Sequence, residues 1–252
     1  MNLALLDRAA PLFDRDRAAL APLVRDGVLD LLGDAFTPTF TQRTLDTAAT
    51  AWLYDRVRDA LMPRFGLPDF ATESRAVAER LALAPGAVVL DVACGHGNFS
   101  VDLAKRVGPN GLVVGLDIAG SMLRRAAARV RSQGLENVLL VRGDALALPF
   151  RPGVFDAVNC SGGLHQMPDL ARALGEMARV AKPGAHFAAS GFARSGAEES
   201  GLRGWLWRRF ALHFIPVTVL AGAIERAGVE DTRTPIEGST FAPGSARRPE
   251  AA

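Results

Sequence analysis

Apolar residues along the chain change their spacing at about residue 85. Before that point they recur every three or four positions, as on one face of a helix. Over residues 43–62, "RTLDTAATAWLYDRVRDALM", Leu45, Trp52, Leu53, Val57 and Leu61 keep that spacing. Pro63, Gly66 and Pro68 end the helix it predicts. A second helix is predicted from about Ser74 to Leu83. After Pro85 and Gly86 come short apolar runs: Val88–Asp91, Leu112–Asp117, Val138–Arg142, Phe155–Cys160 and Ala185–Ser190, each read as a strand. Helical patterns lie among them at Phe99–Val107, Met122–Ser132 and Leu170–Val180. Strand and helix in alternation predict an α/β fold, a doubly wound, mostly parallel sheet with helices on both faces and right-handed crossovers.

The flanks are less regular. Residues 1–36 are rich in Ala, Leu, Asp and Arg with helical spacing, interrupted by Pro11, Pro22 and Gly27. Residues 201–214, "GLRGWLWRRFALHF", and 217–228, "VTVLAGAIERAG", read as helices, the second stopped by Gly228. Val229–Thr234 is a candidate last strand, and a seventh strand is not legible. Residues 242–252, "APGSARRPEAA", read as a disordered tail. The organisation expected is therefore a segment 1–36, a main domain 37–241 and a tail 242–252.

In a sheet of this kind ligands bind at the carboxyl ends of the strands. Asp91 to Gly97, Asp117, Gly143 to Leu146 and Cys160 to His165 all follow strands, so one edge collects the candidate chemistry. In "VVLDVACGHGNFSVDLA" the glycines Gly95 and Gly97 let a ligand approach the backbone, and a helix beginning near Asn98 offers free N–H groups. That would suit a dinucleotide pyrophosphate, but Ser100 stands where the dinucleotide fingerprint has its third glycine. Asp91, before the turn, would repel a pyrophosphate and suit an ammonium group. Asp117 can accept both hydroxyls of a ribose. In "GDALALPF", Asp144 can accept from an adenine amino group while the next N–H donates to the ring. A ligand made of an adenosine and an amino acid uses all three acids.

Composition narrows the picture further. The chain has 252 residues, 49% hydrophobic and 22% charged, enough for one large domain with a core. Net charge is +2 and the arginines are scattered, which argues against nucleic acid. The two cysteines, Cys94 and Cys160, form neither a disulfide framework nor a zinc site and suit a reducing compartment. No basic start precedes an apolar core, and the apolar run 211–224 is too short to span a bilayer, so a cytoplasmic protein without a signal peptide or transmembrane segment is expected.

Taken in order, "LDVACGHGNFS", "GLDIAGSMLRRA", "GDALALPF", "FDAV", "LHQMPD" and "EMARVAKPGAHF" resemble the class I S-adenosylmethionine-dependent methyltransferases, and within them the type 11 group similar to quinone C-methyltransferases. The resemblance covers about Pro85 to Gly191. It implies a Rossmann-like fold, with a helical lid before the last strands, that binds S-adenosylmethionine and releases S-adenosylhomocysteine. By the same resemblance Asp91, Ala93, Gly95 and Gly97 line the methionine end, Cys94 and Asn98 are further cofactor-binding candidates, and Asp117 holds the ribose. Ile118 and Met122 flank the adenine, while Gly143, Asp144, Ala145 and Leu146 read its edge. Cys160, Ser161 and His165 face the methyl group, with His165 a candidate base or positioning group. Tyr54, Trp205 and Phe210 lie in segments that would meet a small, lipophilic substrate. "DGVLDLL" near the N-terminus resembles relatives that carry a zinc ribbon, but no cysteine precedes Cys94, so residues 1–36 are read as a remnant with no metal. Ala119 stands where relatives often place a helix-capping Ser, with Ser121 the candidate replacement.

Each residue also has a plain structural reading. The acids and glycines suit ordinary turns; His96 suits a loop over the cofactor, His186 a strand and His213 a helix; both cysteines suit small buried hydrophobes. "WLWRRFALHF" could pack on the domain, line the pocket, rest on a membrane surface or form a dimer contact. Two functional alternatives stand beside methyl transfer: a protein or cyclase that binds S-adenosylmethionine without transferring its methyl, and an NAD-binding oxidoreductase. Monomer and homodimer both fit.

Overall fold

Val89 and Leu90 show how the sheet is built. Both are fully buried, yet they join different clusters, one on each side of the strand. The two-residue period of a strand between two helical layers produces that division. The computed structural model describes residues 3–33, 69–190, 193–194, 215–228, 230–233 and 244–247.

Nine described strands share one sheet: β1 (Val24–Arg25), β2 (Val28–Asp30), β3 (Val88–Val92), β4 (Leu112–Asp117), β5 (Val138–Arg142), β6 (Phe155–Cys160), β7 (Ala181–Ala189), β10 (Glu230–Arg233) and β11 (Gly244–Arg247). Their spatial order is β1-β2-β5-β4-β3-β6-β7-β11-β10. From β2 to β7 every neighbouring pair is parallel, whereas β1, β11 and β10 pair antiparallel. β8 (Ala193–Arg194) and β9 (Ile215–Pro216) form a separate parallel pair. The chain reverses its direction of travel across the sheet beside β3, which is flanked by β4 and β6. That is the switch point at which such sheets bind ligands.

The helices divide between the two faces. Beside α1 (Leu3–Ala9) and α2 (Arg17–Leu20) lie α3 (Phe70–Leu81), α4 (Asn98–Val107), α5 (Gly120–Ser132), α6 (Leu170–Val180) and α7 (Val217–Arg226). α3, α4 and α5 bury Val77, Leu81, Phe99, Leu103, Leu123 and Ala126 against Val89, Val113 and Leu140. On the opposite face α1, α6 and α7 place Leu6, Leu174, Met177 and Leu220 against Leu90, Val114 and Val141.

Three differences from the predicted pattern bear on the fold. α3 begins at Phe70, four residues early, because the Asp69 side chain accepts from the Thr72 N–H at 2.7 Å and caps it. β7 begins at Ala181 rather than Ala185. Gly244–Arg247, inside the stretch read as a disordered tail, is a strand. It pairs in register with His186 to Ala189 of β7 and separates that strand from β10. Pairing on both sides supplies the backbone bonds that its Gly, Ser, Ala and Arg side chains do not advertise.

The N-terminal segment shares the main core. Leu5, Leu6, Leu12, Phe13, Leu20 and Leu29 are all buried in the cluster that holds Leu90 and Val114. Phe13 stacks tilted on Phe150 with centroids 5.0 Å apart, and the Arg8 guanidinium donates to the carbonyls of Pro109, Asn110 and Gly111. The β1–β2 hairpin then adds a strand beside β5. The predicted helix over 43–62 lies outside the described residues, as do residues 201–214 with Trp205, Phe210 and His213, and Tyr54.

Candidate functional site

The turn after β3 is held in the left-handed region at Ala93, Gly95 and Gly97, with φ of 54°, 54° and 81°. A Cβ on Gly95 would meet nothing within 4 Å, so the backbone there borders open space. Gly97 is needed twice over. Its positive φ disfavours a side chain, and a Cβ would come to 2.9 Å from that of Ala126 on α5. It caps α4 without a side chain, and Asn98 opens the helix.

Two buried acids stand behind this turn. Asp117, at the end of β4, accepts from the Gly95 N–H through Oδ2 and from the Ala119 N–H through Oδ1, both at 2.8 Å. It thus ties the turn to the start of α5, whose Ala119 has no side-chain cap of its own; Ser121 is buried in the first turn. Asp91 is shut off from solvent, with one oxygen 2.5 Å from Ser100 Oγ and the other 2.7 Å from Asn159 Nδ2. Asn159 in turn accepts from Ser161 Oγ at 2.7 Å. Burial pushes the Asp91 carboxyl up to about 6, against the bonds from Ser100 and Asn159 and with help from the charge of Asp117.

The third acid, Asp144, is half-buried and closes its own turn by accepting from the Leu146 N–H at 2.9 Å. The preceding Gly143 donates its N–H to the Asp117 carbonyl at 3.0 Å. Ala93, Gly95, Asn98, Ile118, Met122, Asp144, Ala145, Leu146, Ser161 and His165 are all partly exposed along this edge, while Cys94, Gly97, Gly143 and Cys160 are buried. His165 sits in a single helical turn, Leu164–Gln166, four residues beyond Ser161. The structure thus gathers the turn, Asp117, Gly143 and the loop after β6 at one edge.

That loop is fitted closely to the turn. A Cβ on Gly163 would come to 2.6 Å from the Cβ of Ala93. Gly163→Ala is expected to lower stability by about 1–2 kcal/mol through this overlap. Thermal unfolding of the purified variant checks it, and an unchanged melting temperature would show that the loop can withdraw at no cost.

The remaining candidates separate. Cys160 ends β6 and Cys94 lies two residues beyond the neighbouring β3, but they join clusters on opposite faces of the sheet. Burial pushes both thiols up, which keeps them protonated. His96 is buried beside the turn, its Nε2 3.1 Å from Asn98 Nδ2, and the Arg129 guanidinium bonds both the His96 carbonyl and Asn98 Oδ1. A cavity of about 550 Å³ between α4 and α5, lined by Phe70, Asn98, Asp102, Lys105 and Arg129 among others, shares only Asn98 with the candidate residues. His186 lies in β7 opposite Ala157. Among the described residues no cluster of three or more metal-ligating side chains occurs, and no helix is long and apolar enough to cross a membrane.

Sequence reasoning missed Ser100 and Asn159 as partners of Asp91, and Gly163. The signal for Asn159 was present, a lone amide in the apolar run "FDAVNC" beside the strand of Asp91. Its role depends on the pairing of Asp91 with Asn159 across β3 and β6, which only the register reveals.

A methyltransferase-domain family model matches residues 83–206, the stretch that carries the turn, all three acids and the loop after β6. Residues 83–206 thus belong with the class I S-adenosylmethionine-dependent methyltransferase domains. The chain is 46% identical to the demethylmenaquinone methyltransferase of Bacillus cytotoxicus over 100 residues, which are 40% of this chain and 42% of that one. It thus spans less than half the length of the curated relatives it matches. Its fold is similar to that of phosphoethanolamine N-methyltransferase 2 of Haemonchus contortus in complex with S-adenosyl-L-methionine, with a TM-score of 0.71 and 16% identity over 84% of this chain and 59% of that one. It is also similar to the [4+2]-cyclase SpnF, with a TM-score of 0.63 and 21% identity over 80% and 95%. The family's cofactor is S-adenosylmethionine, and the donor set of the methyltransferase suits it: two buried acids behind a backbone turn that borders open space.

Proposed function

We propose that this chain transfers the methyl group of S-adenosylmethionine to a small, lipophilic acceptor, with a reduced quinone of the class named by its relatives as the first compound to try. The observation that supports this most is Asp117, a buried carboxylate at the end of β4 that ties the Gly95 turn to the start of α5. In this reading Asp117 accepts the ribose hydroxyls, Asp144 and the Ala145 N–H meet the adenine edge, and Asp91 supplies negative charge behind the methionine end. A charge-assisted bond of this kind contributes about 1.5–3 kcal/mol.

Bound there, the cofactor presents a sulfonium methyl that is already electrophilic. The protein's task is then to hold an acceptor in line and keep water away, a contribution of up to about 7–11 kcal/mol in favourable cases. The loop of Ser161 to His165 stands at the acceptor side. Leu164 is buried and anchors it, and in this reading the half-buried His165 would take a proton from an acceptor that arrives protonated.

Incubating the protein with S-adenosylmethionine carrying an isotopically labelled methyl, together with a reduced quinone or a cell extract, tests the proposal. The expected result is a labelled small molecule by mass spectrometry. Tight S-adenosylhomocysteine binding with no labelled product from either source would overturn methyl transfer and favour a binding or cyclising role.

A further inference from the structure

Three neighbouring parallel strands end in register on charged residues. Asp30 of β2 pairs with Arg142 of β5, and Arg142 pairs with Asp117 of β4. The Arg142 guanidinium lies between the N-terminal hairpin and the loop that follows Asp117. Its Nη1 donates to Asp30 Oδ2 at 3.1 Å and to the Gly33 carbonyl at 3.4 Å, while Nε reaches the Ile118 carbonyl at 3.4 Å. Arg142 is 20% exposed at its side chain and Asp30 12%, so the pair is largely withdrawn from water. Both partners are pinned. Asp30 Oδ1 accepts from the Leu32 and Gly33 N–H groups, and the Leu31 N–H donates to the Arg142 carbonyl. On its other side Arg142 borders Gly120, the first residue of α5: a Cβ there would stand 3.8 Å from Nε.

The loop thus gripped, Asp117 to Gly120, is the one that the proposed function assigns to the ribose. We infer that the N-terminal hairpin is part of the cofactor site, and that Asp30 and Arg142 act together as positioning residues for the adenosine-binding loop. The inference rests on the assignment of the carboxyl edge to S-adenosylmethionine. It gives a role to a segment that the sequence alone leaves without one. The guanidinium joins the hairpin at Asp30, 112 residues before it in the chain, to the loop at Ile118, so that the carbonyl of Ile118 and the carboxylate of Asp117 present a fixed loop to the ligand. A planar, always-charged group with donors on two edges is suited to such a bridge, and Lys is not.

Binding of S-adenosylhomocysteine and of 5′-methylthioadenosine to the full chain, measured by calorimetry well below the unfolding temperature, tests it. Asp30→Asn and Arg142→Met are each expected to weaken both ligands about three- to tenfold, because both contain the adenosine. The double variant is expected to be no weaker than the worse single one, since the two residues act as one unit. A purely structural pair would lower the unfolding temperature and leave both affinities alone. Affinities within twofold of wild type, losses that add in the double variant, or a loss confined to S-adenosylhomocysteine would each overturn the inference. If Arg142→Met does not fold, Arg142→Lys keeps the charge but loses the Nε contact to Ile118 and is expected to show the same weakening; unchanged affinity would again overturn it. Failure of the wild type to bind either ligand would instead count against the cofactor assignment.

Discussion

Asp117→Ala is expected to weaken S-adenosylhomocysteine binding by about 100-fold, close to 2.7 kcal/mol. Two losses combine. The ribose hydroxyls lose a carboxylate acceptor, at roughly 1.5–3 kcal/mol for each charge-assisted bond. The Gly95 and Ala119 N–H groups also lose the oxygens they bind at 2.8 Å, so the turn and the start of α5 are no longer tied together. Asp117→Asn separates the two contributions. It retains one acceptor oxygen and most of the shape, and its affinity is expected to fall between those of the Ala variant and the wild type. Calorimetric titration gives the ratio directly. An Ala variant that binds as the wild type does would remove Asp117 from the cofactor site and with it the main support for the proposed function.

The second large effect concerns pH. Asp91 has its carboxyl raised from 3.8 to about 6, chiefly by burial. Below about pH 4 it is protonated in both folded and unfolded chains. Between about pH 4 and pH 6 the unfolded chain releases the proton while the folded one keeps it. Stability contributed by this group therefore falls as pH rises through that window, reaching a cost of about 3 kcal/mol above pH 6. Asp91→Asn removes the charge and can still bond Ser100 and Asn159. Its stability relative to wild type is expected to improve by about 3 kcal/mol between pH 4 and pH 7 in denaturant titrations. A difference that does not change with pH would show that Asp91 does not titrate in this range. The same variant probes the ligand. S-adenosylhomocysteine, which carries an ammonium group, is expected to bind about tenfold more weakly, while 5′-methylthioadenosine, which lacks it, is expected to bind unchanged. The neutral site thus gains stability at the expense of charge complementarity, a common exchange at functional sites.

The central part of the sheet was legible because its physics is local. Val88 to Val92 is an apolar run, Gly95 and Gly97 mark the turn, and α4 follows with its own apolar face; none of this needs knowledge of a distant partner. β2 and β11 were not legible because they are three and four residues long and owe their form to neighbours. Val28 to Asp30 becomes a strand by pairing with Leu140 to Arg142 more than a hundred residues away. Gly244 to Arg247 has no apolar alternation at all and is fixed by β7. The site followed the same rule. Asp91, Asp117 and Asp144 stand out in the sequence as candidates at or just beyond the ends of apolar runs, whereas the contacts of Ser100, Asn159, Asp30 and Arg142 depend on register or on long-range pairing.

The place of β11 has a consequence for how the fold is completed. Among the described strands it lies between β7 and β10, so β10 joins the sheet through it. During synthesis residues 230–233 leave the ribosome before the strand that will hold them, and they wait without a template until residues 244–247 follow. Until then the edge of β7, with its backbone groups unpaired, is the exposed border of an otherwise assembled sheet, the kind of edge on which chains of the same sequence stick to one another. Removing only the last few described residues would therefore cost the sheet two strands rather than one.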